Sequence, residues 1–329
     1  MLHGTHFQAL SADSFAPNRT WGPWLWYLNN GDFGDVEERL NTERAAWPYS
    51  WFNDTAFHAR GRIVGTLNLS DGRLGTGANV FLGDNRSNKS TLDQGKSYYY
   101  TTGSNGLGDF IFSNVRAGEY ALYAWSAGGV LPDVSTTVVK NDIVVKKGET
   151  TNVGTVDWQV TKEEDIVWRV GDFDRTSDGF NLSTVRDAPY AHGKIALCPA
   201  NLTFSIGVSE EKDWCFGQTA LGTHSILFSL SSIPEAVKKA RLNVHLAGFS
   251  SGSTADVLVN GKKVGDIGPG LRSSQDTYRG AVSAGEWWPL EYSVLSALKI
   301  GENKLEFKVG TSKRWSGWIW DAISLEWIM

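Results

Sequence analysis

Asn303-Lys-Leu-Glu-Phe-Lys-Val309 and Trp318-Ile-Trp-Asp-Ala-Ile-Ser-Leu-Glu-Trp327 decide the fold class. Both stretches alternate apolar with polar positions, the two-residue period of a half-buried strand rather than the 3.6-residue period of a helix. Upstream, Asp256-Val-Leu-Val259 and Lys262-Lys-Val264 flank Asn260-Gly261. That dipeptide favours a two-residue hairpin, because both turn positions need positive φ. The same rhythm of short strands and turn signals runs back through Thr151–Asp157, Tyr120–Trp125, Asp109–Phe112, Ser97–Thr101, Ala78–Leu82 and Gly61–Leu69, with Asn105-Gly106 and Ala117-Gly118 as turns. With 15 Trp and 36 Gly against 2 Met in 329 residues, composition agrees, and the chain reads as all-β.

Three segments follow from this pattern. Residues 161–329 hold the run of strands just described, and residues 59–160 form a smaller sandwich with no titratable cluster, read as a spacer. Residues 1–58 are dense in aromatics (Trp21, Trp24, Trp26, Tyr27, Trp47, Trp51 among them) but too short to bury them alone, so they need a partner surface. Within this segment Trp24–Leu28 reads as a strand, ended by Asn29-Asn30-Gly31. Asp35–Trp47 reads as a helix halted by Pro48, with Val36, Leu40 and Trp47 near one face.

A net charge of −5 and a pI near 5.7 give no basic field, which argues against nucleic acid and anionic membranes as partners. No apolar run approaches the roughly 20 residues of a membrane span. Sequons stand at Asn18, Asn53, Asn68, Asn85, Asn88, Asn181 and Asn201, a density that points to a eukaryotic secretory route and an extracellular glycoprotein. Cys198 and Cys215 are the only cysteines; a disulfide between them would close a short loop and stabilise by about 3 kcal/mol in the chain-entropy account. Met1-Leu2-His3-Gly4-Thr5-His6 lacks the charged and apolar regions of an export signal, so either the start is an artefact or the chain is a fragment.

Several motifs carry a family resemblance. Gly4-Thr5-His6-Phe7, Gly22-Pro-Trp-Leu-Trp-Tyr-Leu-Asn-Asn-Gly31 and Trp47-Pro-Tyr-Ser-Trp51 are similar to the closing portion of the catalytic sandwich in family 4 rhamnogalacturonan lyases. Trp168-Arg-Val-Gly-Asp-Phe-Asp-Arg-Thr176 and Asp213-Trp214 resemble the opening of that family's third domain. Gly61-Arg-Ile-Val-Gly65, Ala78-Asn-Val-Phe-Leu82 and Gly108-Asp-Phe-Ile-Phe-Ser-Asn-Val-Arg-Ala-Gly-Glu-Tyr-Ala-Leu122 resemble fibronectin-III-like modules, and the stretch from Leu298 to the final strand resembles galactose-binding-like jelly rolls. The resemblance implies an enzyme that splits the rhamnogalacturonan I backbone of pectin by β-elimination with no cofactor; the chain is taken as a monomer, on which the sequence itself is silent. In that family a Lys and a His share the acid and base work. The small-His-aromatic position matches His6, with His3 the weaker candidate, and the family Lys has no counterpart in this sequence. Taken alone, a histidine near a terminus reads as solvated. The alternative function is a secreted polysaccharide-binding protein that does not cut.

For sugar contact the candidates are Trp287, Trp288, Trp315 and Trp318, whose faces stack on pyranose rings, with Arg279 and Arg314 for a uronate carboxylate. Core packing is the competing reading for each Trp. Trp315 and Arg314 lie in a loop ahead of the last strand and form the preferred ligand-contacting pair. Asp172, Asp174 and Asp178 offer oxygen ligands for a structural calcium ion without the full loop pattern of a dedicated site. His192, His224 and His245 have no zinc spacing, and neither a phosphate loop nor a nucleophile elbow is present.

Overall fold

The computed structural model describes residues 25–84, 98–183, 193–274, 277–280, 282–283, 286–313 and 315–329. The chain divides into two compact units, one of residues 1–68, 74–124 and 138–158, the other of residues 69–73, 125–137 and 159–329.

In the first unit helix α1 (Phe33–Ala46) starts where Asp32 accepts a hydrogen bond from the Gly34 amide, and it stops before the cis Trp47–Pro48 bond. None of its residues is buried, and Val36, Leu40 and Trp47 stay exposed on the face the sequence sets aside for packing. Leu25–Leu28 carries no strand, contrary to the sequence reading, because a strand needs a neighbour to pair its amides and none of the described strands lies against it. The short helix α2 (Thr55–His58), capped by Asp54, buries Phe57 against the ring of Phe52.

The rest of this unit is a seven-stranded sandwich. One sheet has the order β4 (Asp109–Arg116), β1 (Arg60–Leu69), β7 (Thr150–Trp158); the other has the order β3 (Tyr100–Gly103), β2 (Asn79–Gly83), β5 (Gly118–Trp125), β6 (Val138–Val145). Ile63, Leu67, Phe110, Leu82, Tyr120 and Trp158 fill the space between them. Strand β6 is absent from the sequence reading. It is an edge strand whose only buried side chains are Ile143 and Val145, so alternation is faint there.

The second unit packs two five-stranded sheets. In one, β17 (Gly317–Ile328) pairs with β12 (Lys239–Ser250), which pairs with β15 (Trp288–Ser293); β10 (Gly217–Gln218) and β8 (Ile166–Val170) both pair with β17. The other has the order β14 (Lys262–Ile267), β13 (Thr254–Val259), β16 (Gly301–Thr311), β11 (Gly222–Leu230), β9 (Leu202–Ser205). The Asn260-Gly261 turn joins β13 to β14 with φ of 52° and 78°, the positive pair that a type I′ hairpin demands. Cys198 and Cys215 are disulfide-bonded.

Strand β17 departs from the half-buried strand of the sequence reading, because all its residues but Ile328 are buried. Trp318 and Trp320 enter the core, where Trp320 meets Phe307 at 4.8 Å and Trp214 at 5.6 Å. Opposite Val244 and Leu246 the register slips by one residue, so Ile323 and Trp320 both face inward while Asp321 is turned outward. The outward row of Asp321, Ser324 and Glu326 faces Arg241, Asn243 and His245 on β12 and is itself covered. Phe173 lies 4.7 Å from the His245 ring, and Asp321 Oδ1 accepts from the Asp174 and Arg175 amides. A buried polar stripe therefore lies outside the second unit's core. Within it Glu326 is satisfied by Arg241, Thr161, Asn243 and Ser324 at 2.6–3.0 Å.

Candidate functional site

At the Gly317 end of β17 the loops gather round Trp315. Ser316 accepts from the Lys313 amide at 3.1 Å, returns a hydrogen bond to the Lys313 carbonyl and meets Ser253 Oγ at 2.6 Å. This closes a tight turn that holds Trp315 at φ 70°, a conformation a non-glycine residue keeps only when its surroundings impose it. The ring is 49% exposed and packs edgewise on Tyr278. Tyr278 is tied to the neighbouring loop through the Gly193 amide, and a Cβ on Gly193 would come within 3.0 Å of the Tyr278 hydroxyl. Arg279 follows in the same loop and is half-buried. Trp315 and Tyr278 thus bring an aromatic surface to one rim, while Arg314, His6 and His3 lie outside the described residues, as does His192.

Two other tryptophans proposed from sequence do not reach this rim. Trp288 is 7% exposed, donates its indole N–H to the Arg272 carbonyl and packs against Phe249, so it is a core residue. Trp318 is fully buried. Single-sequence alternation cannot separate these positions from ligand platforms, because a strand covered on both sides shows large side chains at every step.

The acidic run is committed to local contacts. Asp172 pairs with Arg169, and Asp174 Oδ1 accepts from both the amide and the hydroxyl of Thr176 at 2.8 Å. Among the described residues no group of three acidic, His or Cys side chains is arranged to hold a metal ion, so the calcium expectation drawn from Asp172, Asp174 and Asp178 is not supported. The two described histidines of the second unit are buried, His224 inside and His245 in the polar stripe. His224 bonds the Pro199 carbonyl through Nε2, and burial lowers its imidazole to about 4. His245 lies 3.9 Å from Asp321, and burial, then Arg175 and Arg241, lower it to about 3. Burial and the neighbouring Asp174 raise the Asp321 carboxyl well above the usual range.

At the far end of β17, roughly 36 Å away at 3.3 Å per residue, an open cleft of about 320 Å³ is lined by Thr136, Thr161, Lys162, Arg241 and Trp327. Arg241, half-buried in its wall, is already paired with Glu326.

The sequence comparisons follow the two units closely. Residues 59–153 match the family model described as polysaccharide lyase family 4, domain II, and residues 166–325 match that described as polysaccharide lyase family 4, domain III. A rhamnogalacturonate lyase of Dickeya dadantii is 30% identical over 328 residues, covering 94% of this chain and 53% of that protein. The chain belongs to polysaccharide lyase family 4. Rhamnogalacturonate lyase B of Emericella nidulans is 25% identical over 72% of this chain and 41% of its own length. This family 4 chain therefore spans about half the length, or less, of the curated relatives it matches. Among solved structures, a family 35 carbohydrate-binding module from an environmental isolate aligns with 49% of the chain and 85% of its own at 15% identity and a TM-score of 0.24. That score is too low to add to the assignment. Among the described residues no helix is long and apolar enough to cross a membrane.

The motif Trp168–Thr176, quoted for its resemblance to the third domain, holds a residue that the sequence reading passes over. Arg175 lies over the rings of Trp125 and Trp287, at 3.9 and 4.2 Å. The one signal available in the sequence was the Asp-Arg pair inside that motif. Its indole partners come from positions 50 residues upstream and 112 downstream, and nothing local announces them.

Proposed function

We propose that the protein carrying these two modules is a secreted rhamnogalacturonan endolyase that acts as a monomer on the rhamnogalacturonan I backbone of pectin, cleaving it by β-elimination. The observation that carries this reading is the 30% identity to a rhamnogalacturonate lyase across 94% of the chain. In this reading residues 1–58 complete a catalytic sandwich, which fits the exposed aromatic face of residues 25–52. Elimination needs a base to remove the proton α to the uronate carboxylate and an acid for the leaving oxygen. His6 supplies one of these. A partner lysine has no counterpart identified among the 329 residues. The second unit holds the polysaccharide at the Trp315 rim, with Arg314 and Arg279 for the carboxylate.

The test is the ultraviolet absorbance of the unsaturated uronide released from rhamnogalacturonan. The 329 residues alone are expected to show little or no turnover, because half of the acid/base pair is missing. In a protein extended to the length of its relatives, His6→Ala is expected to lower turnover by roughly 10²–10⁴-fold with thermal stability unchanged. A loss of only a few-fold removes His6 from the mechanism, and robust turnover by the 329 residues alone sinks the reading that they lack part of the site.

A further inference from the structure

The guanidinium of Arg175 is held as a receptor would hold it. Two indole rings, of Trp125 and Trp287, lie 3.9 and 4.2 Å from its central carbon, and Thr137 Oγ1 accepts from Nη2 at 2.8 Å. Among the described residues no carboxylate pairs with it. The nearest acid, Asp321, spends Oδ1 on the backbone amides of Asp174 and Arg175, at 3.2 and 2.7 Å, rather than on the guanidinium. Among the described residues the other guanidinium N–H groups of Arg175 have no hydrogen-bond partner. A cation packed against two indoles, with no ion pair among the described residues, is costly, and burial, against the weaker opposing pull of Asp321, lowers this guanidinium to about 9.

The backbone beneath is built to present it. Arg175 sits at φ 67°, in the left-handed region a branched or long side chain avoids, and the buried Asp321 carboxylate pins that turn. Gly171, at φ 79°, lets the loop lie on β17, where a Cβ would stand 2.6 Å from the Asp321 carbonyl. A rivet between two tryptophans needs none of this strain. A recognition group does, because locking the fork in advance removes the side-chain entropy that binding would otherwise cost.

We propose that Arg175, clamped by Trp125 and Trp287, is a carboxylate-binding site for a uronic acid residue of the polysaccharide. The ligand enters edge-on, since only in the guanidinium plane are donors left, and a planar carboxylate matches that fork. This rests on the pectin-binding reading for its choice of carboxylate. Asp321 is a positioning residue, and Arg175 is the one that touches ligand.

Calorimetry of the 329-residue protein at low salt, with rhamnogalacturonan I oligosaccharides and their carboxyl-reduced counterparts, tests it. The wild type is expected to bind the acidic form about ten-fold tighter or more, with a change in tryptophan fluorescence from the flanking indoles. Arg175→Gln is expected to bring that ratio to about one. Arg175→Lys keeps charge and stem and is expected to keep only a few-fold preference; it serves as the second variant should the glutamine protein fail to fold. Equal binding of both forms by the wild type overturns the proposal, as does a preference that survives Arg175→Gln or stays at the wild-type ratio in Arg175→Lys. Binding of neither form also overturns it, and points to an acidic protein side chain as the partner. A longer protein that cleaves rhamnogalacturonan while the 329 residues show no carboxylate preference refutes this site and leaves the lyase reading standing.

Discussion

The Leu25–Ala46 segment, which ends in helix α1, and strand β17 both carry large apolar side chains, and they stand at opposite extremes of burial. The helix and the residues before it leave Trp26 87% exposed and Leu28, Phe33 and Leu40 open, whereas β17 buries Trp318 and Trp320 completely. The residues before the helix, Leu25-Trp-Tyr-Leu28, are as apolar as the strand, whereas α1 itself is rich in charged side chains. What differs is the surface opposite. β17 has a sheet on its inner side and the Phe173–Arg175 loop on its outer side, while α1 meets nothing that buries a residue. Apolar content states how much burial a segment can use, and the rest of the chain decides how much it receives.

The largest effect expected from that difference is on stability. Trp320→Ala removes a ring that packs against Phe307, Trp214 and Trp318, and it should cost about 3–5 kcal/mol in chemical denaturation. Trp26→Ala should stay within about 0.5 kcal/mol. Equal losses from the two substitutions would break the comparison.

Acid sharpens it. His224 and His245 are neutral when folded, at about 4 and about 3, and take up protons near the ordinary histidine value when unfolded. The unfolded chain therefore binds more protons below pH about 6.5, and the stability of the second unit should fall as pH drops from there toward 4 and 3, by on the order of 1–3 kcal/mol per histidine. Asp321 acts in the opposite sense. Its raised carboxyl pKa lets the folded state hold a proton the unfolded state releases, so it contributes stability at low pH that is lost as pH rises through the folded value. In His224→Gln the slope of unfolding free energy between pH 6.5 and 4 should shrink; an unchanged slope would show that this imidazole does not couple to folding.

The smallest effect lies in α1. Asp32→Ala removes the side-chain cap on the Gly34 amide and should cost about 1 kcal/mol of helix stability. With no residue of the helix buried, that loss should appear as faster amide exchange in the first turn and leave the unfolding transition of the second unit in place.

Some of this was legible because it depends on neighbours in sequence. The Asn260-Gly261 hairpin, the helix stop at Pro48 and most strands of the sandwiches follow from backbone preferences that act over a few residues. The half-buried reading of β17, the strand at Leu25–Leu28 and the place of Trp288 failed for a shared reason: each depends on what covers the segment. A one-residue bulge that turns Asp321 outward leaves no mark in the alternation of Trp318–Trp327.

The sequence by itself determined the all-β class and the resemblance to a lyase family, since these rest on periodicity and on motifs in order; it named Cys198 and Cys215 as the one pair able to bond, and the structure joins them. Tertiary structure alone decided that Trp288 and Trp318 belong to the core while Trp315 faces solvent, and that Arg175 is clasped by indoles from Trp125 and Trp287. Burial and charge pairing are set by distances between residues far apart along the chain, and a single sequence records the residues without recording those distances.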